Sequence, residues 1–172
     1  MNTYKTTVNI VVTGTEWLGG GVGSIETALE KLFRDACDEI SISAYAISSG
    51  ADIIFEWIET ALNRGVRVKL LVNRLEGQPP DVVARIIKLV NNYPHMHLYL
   101  FLAQEISDLH AKIIVIDRKK ALVGSSNLSQ RGLMTNYEMG LVIEGPAASE
   151  IAGTMDRLYQ SRLVSHIYDH II

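Results

Sequence analysis

The chain has 172 residues, 48% of them hydrophobic and 20% charged, with a formal net charge of −3. These values fit one globular domain over 1–172 with a sizeable core, and they exclude a disordered, collagen-like or coiled-coil chain. The acidic balance argues against a protein that merely coats nucleic acid, and the single cysteine, Cys37, excludes an internal disulfide or a cysteine-based zinc cluster. No apolar run approaches the roughly 18 residues of a membrane span. The first residues, MNTYKTTVNIVVTGTEW, lack the apolar block and cleavage site of a signal peptide, so a cytoplasmic location is the expectation.

Strand-like and helix-like patterns alternate along the chain. Val8–Val12 reads as a strand. Ser24 is placed to cap a helix with apolar positions Ile25, Leu29, Leu32, Phe33 and Ala36. Cys37, at the end of that pattern, is expected to be buried and inert. Ile40–Ile47 alternates with period two and predicts a strand. Ile54, Trp57, Ile58 and Ala61 form a second helical stripe, stopped by Arg64-Gly65. Val66–Val72 is a strand, Pro79-Pro80-Asp81 opens a third helix carrying Val83, Ile86, Ile87 and Val90, and Met96–Leu102 is a further strand. This β-α-β-α-β-α-β series predicts an α/β fold with a mixed, mainly parallel sheet flanked by helices. Lys112–Asp117 and Ala121–Gly124 then read as a hairpin, Tyr137–Glu144 as a strand, and Pro146 as the start of a helix bearing Ile151, Met155, Leu158 and Tyr159. The tail VSHIYDHII is too short to classify.

The chemistry-bearing stretch is His110-Ala-Lys112-Ile-Ile-Val-Ile-Asp117, followed by Gly124-Ser125-Ser126-Asn127. His110 and Lys112 are two apart on a strand and share a face. A two-residue loop at Arg118-Lys119 pairs residue 117 with 120, 112 with 125 and 110 with 127. That register gathers His110, Lys112, Ser125 and Asn127 in one patch. An ammonium, neutral donors and an imidazole suit a phosphate ester: the donors stabilise charge on the non-bridging oxygens, and the imidazole serves as nucleophile, base or acid. No carboxylate cluster accompanies the motif at metal-ligand spacing. A reaction without metal or other cofactor is the simpler expectation.

The pattern HxK, four residues, D, six residues, GSxN resembles the HKD motif of the phospholipase D superfamily, with every fixed position filled. Asn136-Tyr-Glu138 is similar to the N-x-E segment that follows it there. The resemblance implies a phospholipase D-like fold with one HKD motif per chain. It implies that His110 is the nucleophile, that Lys112, Ser125 and Asn127 hold the phosphoryl group, and that Asp117 is mainly structural. It further implies that Glu138 bonds the other nitrogen of His110. Full-length members carry two motifs and this chain one, so a homodimer that brings two copies of His110 together completes the site. One imidazole would form a phosphohistidine while the other protonates the leaving oxygen, and the pair would give a bell-shaped pH profile. Short single-motif members resemble nucleases, so hydrolysis of DNA or RNA is the favoured activity. A phospholipid hydrolase or phosphatidyl transferase comes second, and a non-catalytic nucleic-acid or partner-binding module third. Other subunits would supply substrate recognition.

Four other features weigh less. Arg118, Lys119, Lys120 and Arg131 flank the motif; the bland reading is a solvated turn, yet Arg118, Lys119 and Arg131 are the best local candidates for a polyanion. His95 with His97, and His166 with His170, have pairwise metal-ligand spacing but no third ligand nearby, so metal binding is not expected. Gly14 and the Gly19–Gly23 run lack the third glycine of a dinucleotide fingerprint and a Walker lysine, and predict a loop at the rim of the site. No amphipathic basic helix or membrane anchor is evident.

Overall fold

The computed structural model describes residues 5–102 and 107–167. His170 therefore lies outside the described residues. Its strands are β1 (Thr7–Thr13), β2 (Gly23–Ser24), β3 (Glu39–Ala44), β4 (Arg67–Asn73), β5 (Met96–Phe101), β6 (Ile113–Ile116), β7 (Lys120–Gly124), β8 (Glu138–Glu144) and β9 (Val164–Ile167). The helices are α1 (Ile25–Asp35), α2 (Asp52–Asn63), α3 (Pro80–Asn92), α4 (Gln130–Met134) and α5 (Pro146–Tyr159). Among the described residues, no helix is long and apolar enough to cross a membrane.

The strands form one sheet in the order β2-β1-β8-β7-β6-β3-β4-β5-β9. It is mixed, but the expectation of mainly parallel pairing does not hold. Parallel neighbours are confined to β1–β2 and to β3–β4–β5, where helical crossovers reverse the chain. The other five pairs are antiparallel. The physical reason is β6: it enters beside β3 in the opposite direction, a tight turn folds β7 back on it, and the segment carrying α4 returns β8 antiparallel beside β7.

Both faces of the sheet centre are covered, so β3 and β4 are buried almost throughout. On one face, α1 seats Ile25, Leu29, Leu32 and Phe33 against Ile40, Ile42, Leu70, Ile114 and Ile116. Its first turn is closed by Ser24 Oγ, which accepts from the Thr27 N–H at 3.1 Å. α3 buries Val82, Ile86, Leu89 and Val90, so its inward stripe is rotated from the expected Val83 and Ile87. On the other face, α5 lays Ala148, Ala152 and Met155 over Val115 and Ala121. The tail left unclassified by its sequence supplies β9, an edge strand antiparallel to β5.

The turn between β6 and β7 ties the halves together. Asp117 and Arg118 both adopt positive φ, 51° and 57°, and Lys119 N–H donates to Ile116 O at 2.9 Å. The Asp117 carboxylate accepts from three successive backbone N–H groups, those of Cys37, Asp38 and Glu39, at 3.0, 2.8 and 2.9 Å. Cys37 is thus exposed at the mouth of β3 rather than buried, because the chain must present these N–H groups outward to the turn.

Charge-assisted hydrogen bonds contribute about 1.5–3 kcal/mol each, less where water competes. Asp117→Ala is expected to lower unfolding free energy by about 2–3 kcal/mol in denaturant melts, with Asp117→Asn falling between it and wild type. Equal stability of all three proteins would contradict this account of the turn.

Candidate active site

The hairpin register sets the site. Ile116 pairs with Lys120 and Ile113 with Val123, so three residues intervene rather than two. The expected pairs 117–120, 112–125 and 110–127 are therefore shifted by one. The cause is Asp117, which belongs to the turn because its side chain is engaged with the start of β3. Lys112 lies opposite Gly124, whose N–H donates to Lys112 O at 3.2 Å. Gly124 and Gly140 face each other here, and a Cβ on Gly124 would sit 2.8 Å from Met139 O. Only glycine allows β7 and β8 to approach this closely.

Beyond Gly124 the chain leaves the ladder. Ser126 and Asn127 turn into a narrow cavity that also takes Lys112 and Tyr45. Gly132 holds this turn: its N–H donates to Ser129 Oγ at 2.9 Å, and a Cβ there would meet Asn127 O at 2.6 Å. Asn127 also lines a wider groove of about 540 Å³ with Ser48, Gln78, Ser129, Arg131 and Asn136. The Asn127 Oδ1 is buried and has no hydrogen-bond partner among the described protein atoms. An acceptor in that state carries a desolvation cost that a bound donor, such as water or a ligand hydroxyl, relieves, while Nδ2 remains the donor of this amide.

The segment before β6 is pinned at successive residues. The buried Asn73 accepts from the Leu109 N–H at 3.0 Å through Oδ1 and donates to Asp108 at 3.3 Å. Arg74 pairs with Asp108 at 2.9 Å. Ser43 Oγ donates to Ala111 O at 3.1 Å. His110 is left exposed between these anchors, its ring 4.4 Å from that of Tyr45. Sequence reasoning missed Asn73, Ser43 and Tyr45, since none belongs to a spaced motif and only strand order brings them here; it passed over Ser126 because that residue fills the open position of GSxN.

Lys112 Nζ lies 3.1 Å from His110 Nδ1 and 2.9 Å from His110 O. An ammonium has hydrogens and no acceptor, so Nδ1 accepts and the hydrogen of a neutral ring resides on Nε2. Lysine, not Glu138, therefore sets the tautomer in this structure. The expected Glu138–His110 bond is replaced: the Glu138 carboxylate accepts from Ser125 Oγ and, at 3.2 Å, from Asn136 Nδ2. Burial pulls the Lys112 ammonium below the ordinary lysine range, while the nearby Glu138 charge opposes that shift.

The basic residues divide. Arg131 lines the groove beside Asn127. Arg118 and Lys119 lie in the turn at the opposite end of β6 and β7 from His110. Arg118 is held there by Asp156 at 2.6 Å, so neither reaches the site and their assignment to substrate is withdrawn. The Gly14–Gly23 loop carries a short helical turn that sets Trp17 edge-on against Tyr137, 5.4 Å between ring centroids. Away from the site, His97 meets His166 rather than His95, at 3.3 Å across β5 and β9. No group of three or more His, Cys, Asp or Glu placed to hold a metal occurs among the described residues.

The family model described as "Cardiolipin synthase, PLD-like domain" matches residues 29–161. The DISARM protein DrmC of Bacillus paralicheniformis is 30% identical over 118 residues, covering 68% of this chain and 48% of that protein. Cardiolipin synthase B of Escherichia coli is 32% identical over 87 residues, covering 50% of this chain and 20% of that protein. The chain thus spans about half the length of the first relative and a fifth of the second. Among solved structures, the phospholipase D family member Nuc from Salmonella typhimurium superimposes with a TM-score of 0.75 at 20% identity, covering 96% of this chain and 100% of Nuc. Phosphatidylserine synthase from Haemophilus influenzae gives 0.72 at 16% identity over 94% of this chain and 40% of its own.

If Lys112 and Asn127 form an anion site, inorganic phosphate should shift the His110 imidazole resonances in a titration. Lys112→Gln should abolish the response, and Arg118→Ala and Lys119→Ala should leave it intact. Only the charged lysine attracts phosphate, so affinity should fall as pH rises through the lowered Lys112 pKa, below the ordinary lysine range.

Proposed function

Because the chain belongs to the phospholipase D-like family, whose members act as phosphodiesterases or transferases, we propose that it hydrolyses nucleic-acid phosphodiesters in a site shared across a homodimer. The observation that carries the reading is that Lys112 contacts His110 Nδ1 and shares a narrow cavity with Asn127, which also borders the wider groove. Arg131, Gln78, Ser48 and Ser129 along that groove suit an extended, hydrated polyanion better than an acyl chain.

In this reading the phosphate draws the Lys112 ammonium off the imidazole and onto a non-bridging oxygen, and Asn127 donates through Nδ2 to another. The freed imidazole lone pair attacks phosphorus. The P–O bond to the leaving group breaks, and that oxygen takes its proton from the partner subunit's His110. Water then attacks the phosphohistidine and gives its proton to the partner subunit's His110, which restores both rings. The chain's own donors supply charge stabilisation, so no metal is needed for these steps.

The sheet provides a surface for pairing. Ile10 lies opposite Leu141, and Leu141 opposite Val123, with the same parity as Ala121 under α5. α5 leaves this part of the face open, so Ile10 is 52% exposed and Leu141 38%, with Val8, Met139, Tyr137 and Trp17 also exposed. An apolar sheet face of this kind is covered in a stable protein. Its edge reaches the motif, since Met139 N–H donates to Ser125 Oγ at 3.2 Å, and in this reading the second copy occupies this face.

A phospholipid substrate is the second reading. It is favoured by the family model's description and by Trp17 and Leu18, 43% and 46% exposed on the Gly14–Gly23 loop.

The deciding assay offers single- and double-stranded DNA, RNA and phospholipid vesicles to the protein in EDTA, with His110→Ala as control. Nucleic-acid cleavage, reduced at least about 10³-fold in the control, is expected. Turnover of lipid alone selects the second reading, binding without turnover points to a non-catalytic module, and loss of activity in EDTA overturns the metal-free course. The double variant Ile10→Glu/Leu141→Glu should become monomeric by light scattering and lose turnover while its circular dichroism persists. A fully active monomer would sink the shared site.

A further inference from the structure

We propose that Tyr45 is a positioning residue of the reaction: its ring holds the His110 imidazole and the Lys112 ammonium in the resting arrangement from which the reaction starts. The inference deepens, and rests on, the phosphodiesterase reading above.

The end of β3 puts Tyr45 there. β3 and β6 are antiparallel with Ser43 opposite Ile113. Strict continuation of that register would set Tyr45 beside Ala111, on the opposite face from His110 and Lys112; the chain instead bends at Tyr45, just past β3, and the bend turns the ring onto both motif side chains. Ser43 Oγ donates to Ala111 O at 3.1 Å, so the two segments stay joined beyond the last ladder pair. Gln78 fixes the segment from the other side: its Oε1 accepts from the Ile47 N–H at 2.8 Å and its Nε2 donates to Tyr45 O at 3.3 Å. Tyr45 is thus clamped through its backbone, and its ring is free to act as a wall.

That wall touches both groups. The ring centroids of Tyr45 and His110 are 4.4 Å apart with an interplanar angle of 48°. Lys112 Nζ stands 5.1 Å from the Tyr45 ring centroid, over its face. The negative face of the ring attracts the ammonium, and the close tilted contact limits rotation of the imidazole. Lys112 in turn donates to His110 Nδ1. The three side chains form a closed triangle in which the ring orients the lysine, the lysine sets the tautomer, and the ring backs the imidazole. His110 is otherwise exposed, so without this wall it would sample several rotamers, and placing it for attack would cost entropy at each turnover. The phenol hydroxyl has no part in these contacts. The proposal therefore requires an aromatic face and not a tyrosine.

The test compares Tyr45→Phe and Tyr45→Leu. In the wild type, the ¹⁵N spectrum of His110, assigned by its absence from His110→Gln, should show a bare Nδ1 and a protonated Nε2. Tyr45→Phe should keep that separation and most of the turnover. Tyr45→Leu should draw the two signals together and lower kcat by about 10- to 100-fold, with KM changed less than about 3-fold. Wild-type spectra and kinetics in Tyr45→Leu would overturn the proposal, as would a Tyr45→Phe variant as impaired as Tyr45→Leu. So would loss of activity in Tyr45→Leu with His110 signals unchanged, or lost together with thermal stability. If the wild type cleaves no phosphodiester, the function reading fails, and the ¹⁵N comparison alone still decides the role of Tyr45.

Discussion

One carboxylate holds the site in register. Asp117 accepts from the N–H groups of Cys37, Asp38 and Glu39, and its own N–H donates to Glu39 O at 2.8 Å. These bonds fix the end of β6 against the beginning of β3. Because the two strands run antiparallel, a constraint at one end sets which residues meet at the other: Lys112 and His110 arrive beside Ala44 and Tyr45. A slip of one residue would turn every side chain of β6 to the opposite face and remove Lys112 from the cavity. Asp117 is therefore structural in place and functional in consequence. The positive φ of Asp117 and Arg118 is the strain that this link maintains.

Periodicity made the repeated elements legible. The stripe Ile25, Leu29, Leu32, Phe33 and the cap Ser24 are local signals, and the structure follows them. Strand direction was less legible, because apolar β6 reads the same in either direction and only its central place in the sheet makes it antiparallel. The loop of the hairpin was misjudged by one residue. Asp117-Arg118-Lys119 marks positive φ only weakly, since Asp tolerates it but neither Gly nor Asn is present; a carboxylate bonded 80 residues away in sequence decides it. The same blindness to long-range partners explains the other differences. Cys37 reads as the end of a buried stripe but belongs to the mouth of β3. Arg118 reads as free charge, yet Asp156 fastens it to α5. His97 and His166 meet only because β9 returns to the sheet edge.

The candidate site shows the same division. His110, Lys112 and Asn127 were visible as a spaced motif, and the structure does bring Lys112 to both. What orients them was not visible. Asn73, Ser43 and Tyr45 come from the ends of β3 and β4, elements whose sequences read as ordinary core strands. Two of these are buried polar residues in otherwise apolar surroundings, Ser43 4% and Asn73 3% exposed. A buried polar side chain must have a partner, and here the partner is in both cases the backbone just before β6. That is the signal which marks the segment from outside its own motif.

The charge of the molecule takes on a local meaning. A net charge of −3 is unfavourable for a polyanionic substrate, but the balance near the site is different. The Glu138 carboxylate is occupied by Ser125 and Asn136, so its charge is spread over donors rather than neutralised by Lys112. Lys112 spends its ammonium on an imidazole and a carbonyl, both neutral groups that a phosphate oxygen outcompetes. The cation is thus held ready without an ion pair to break, and the imidazole beside it is held in one tautomer until the anion arrives. In the proposed dimer, pairing two chains across the β1–β8 face would double that local positive charge while hiding apolar surface that adds nothing to the net charge. An acidic protein would in this way present a cationic pocket made by two copies rather than one.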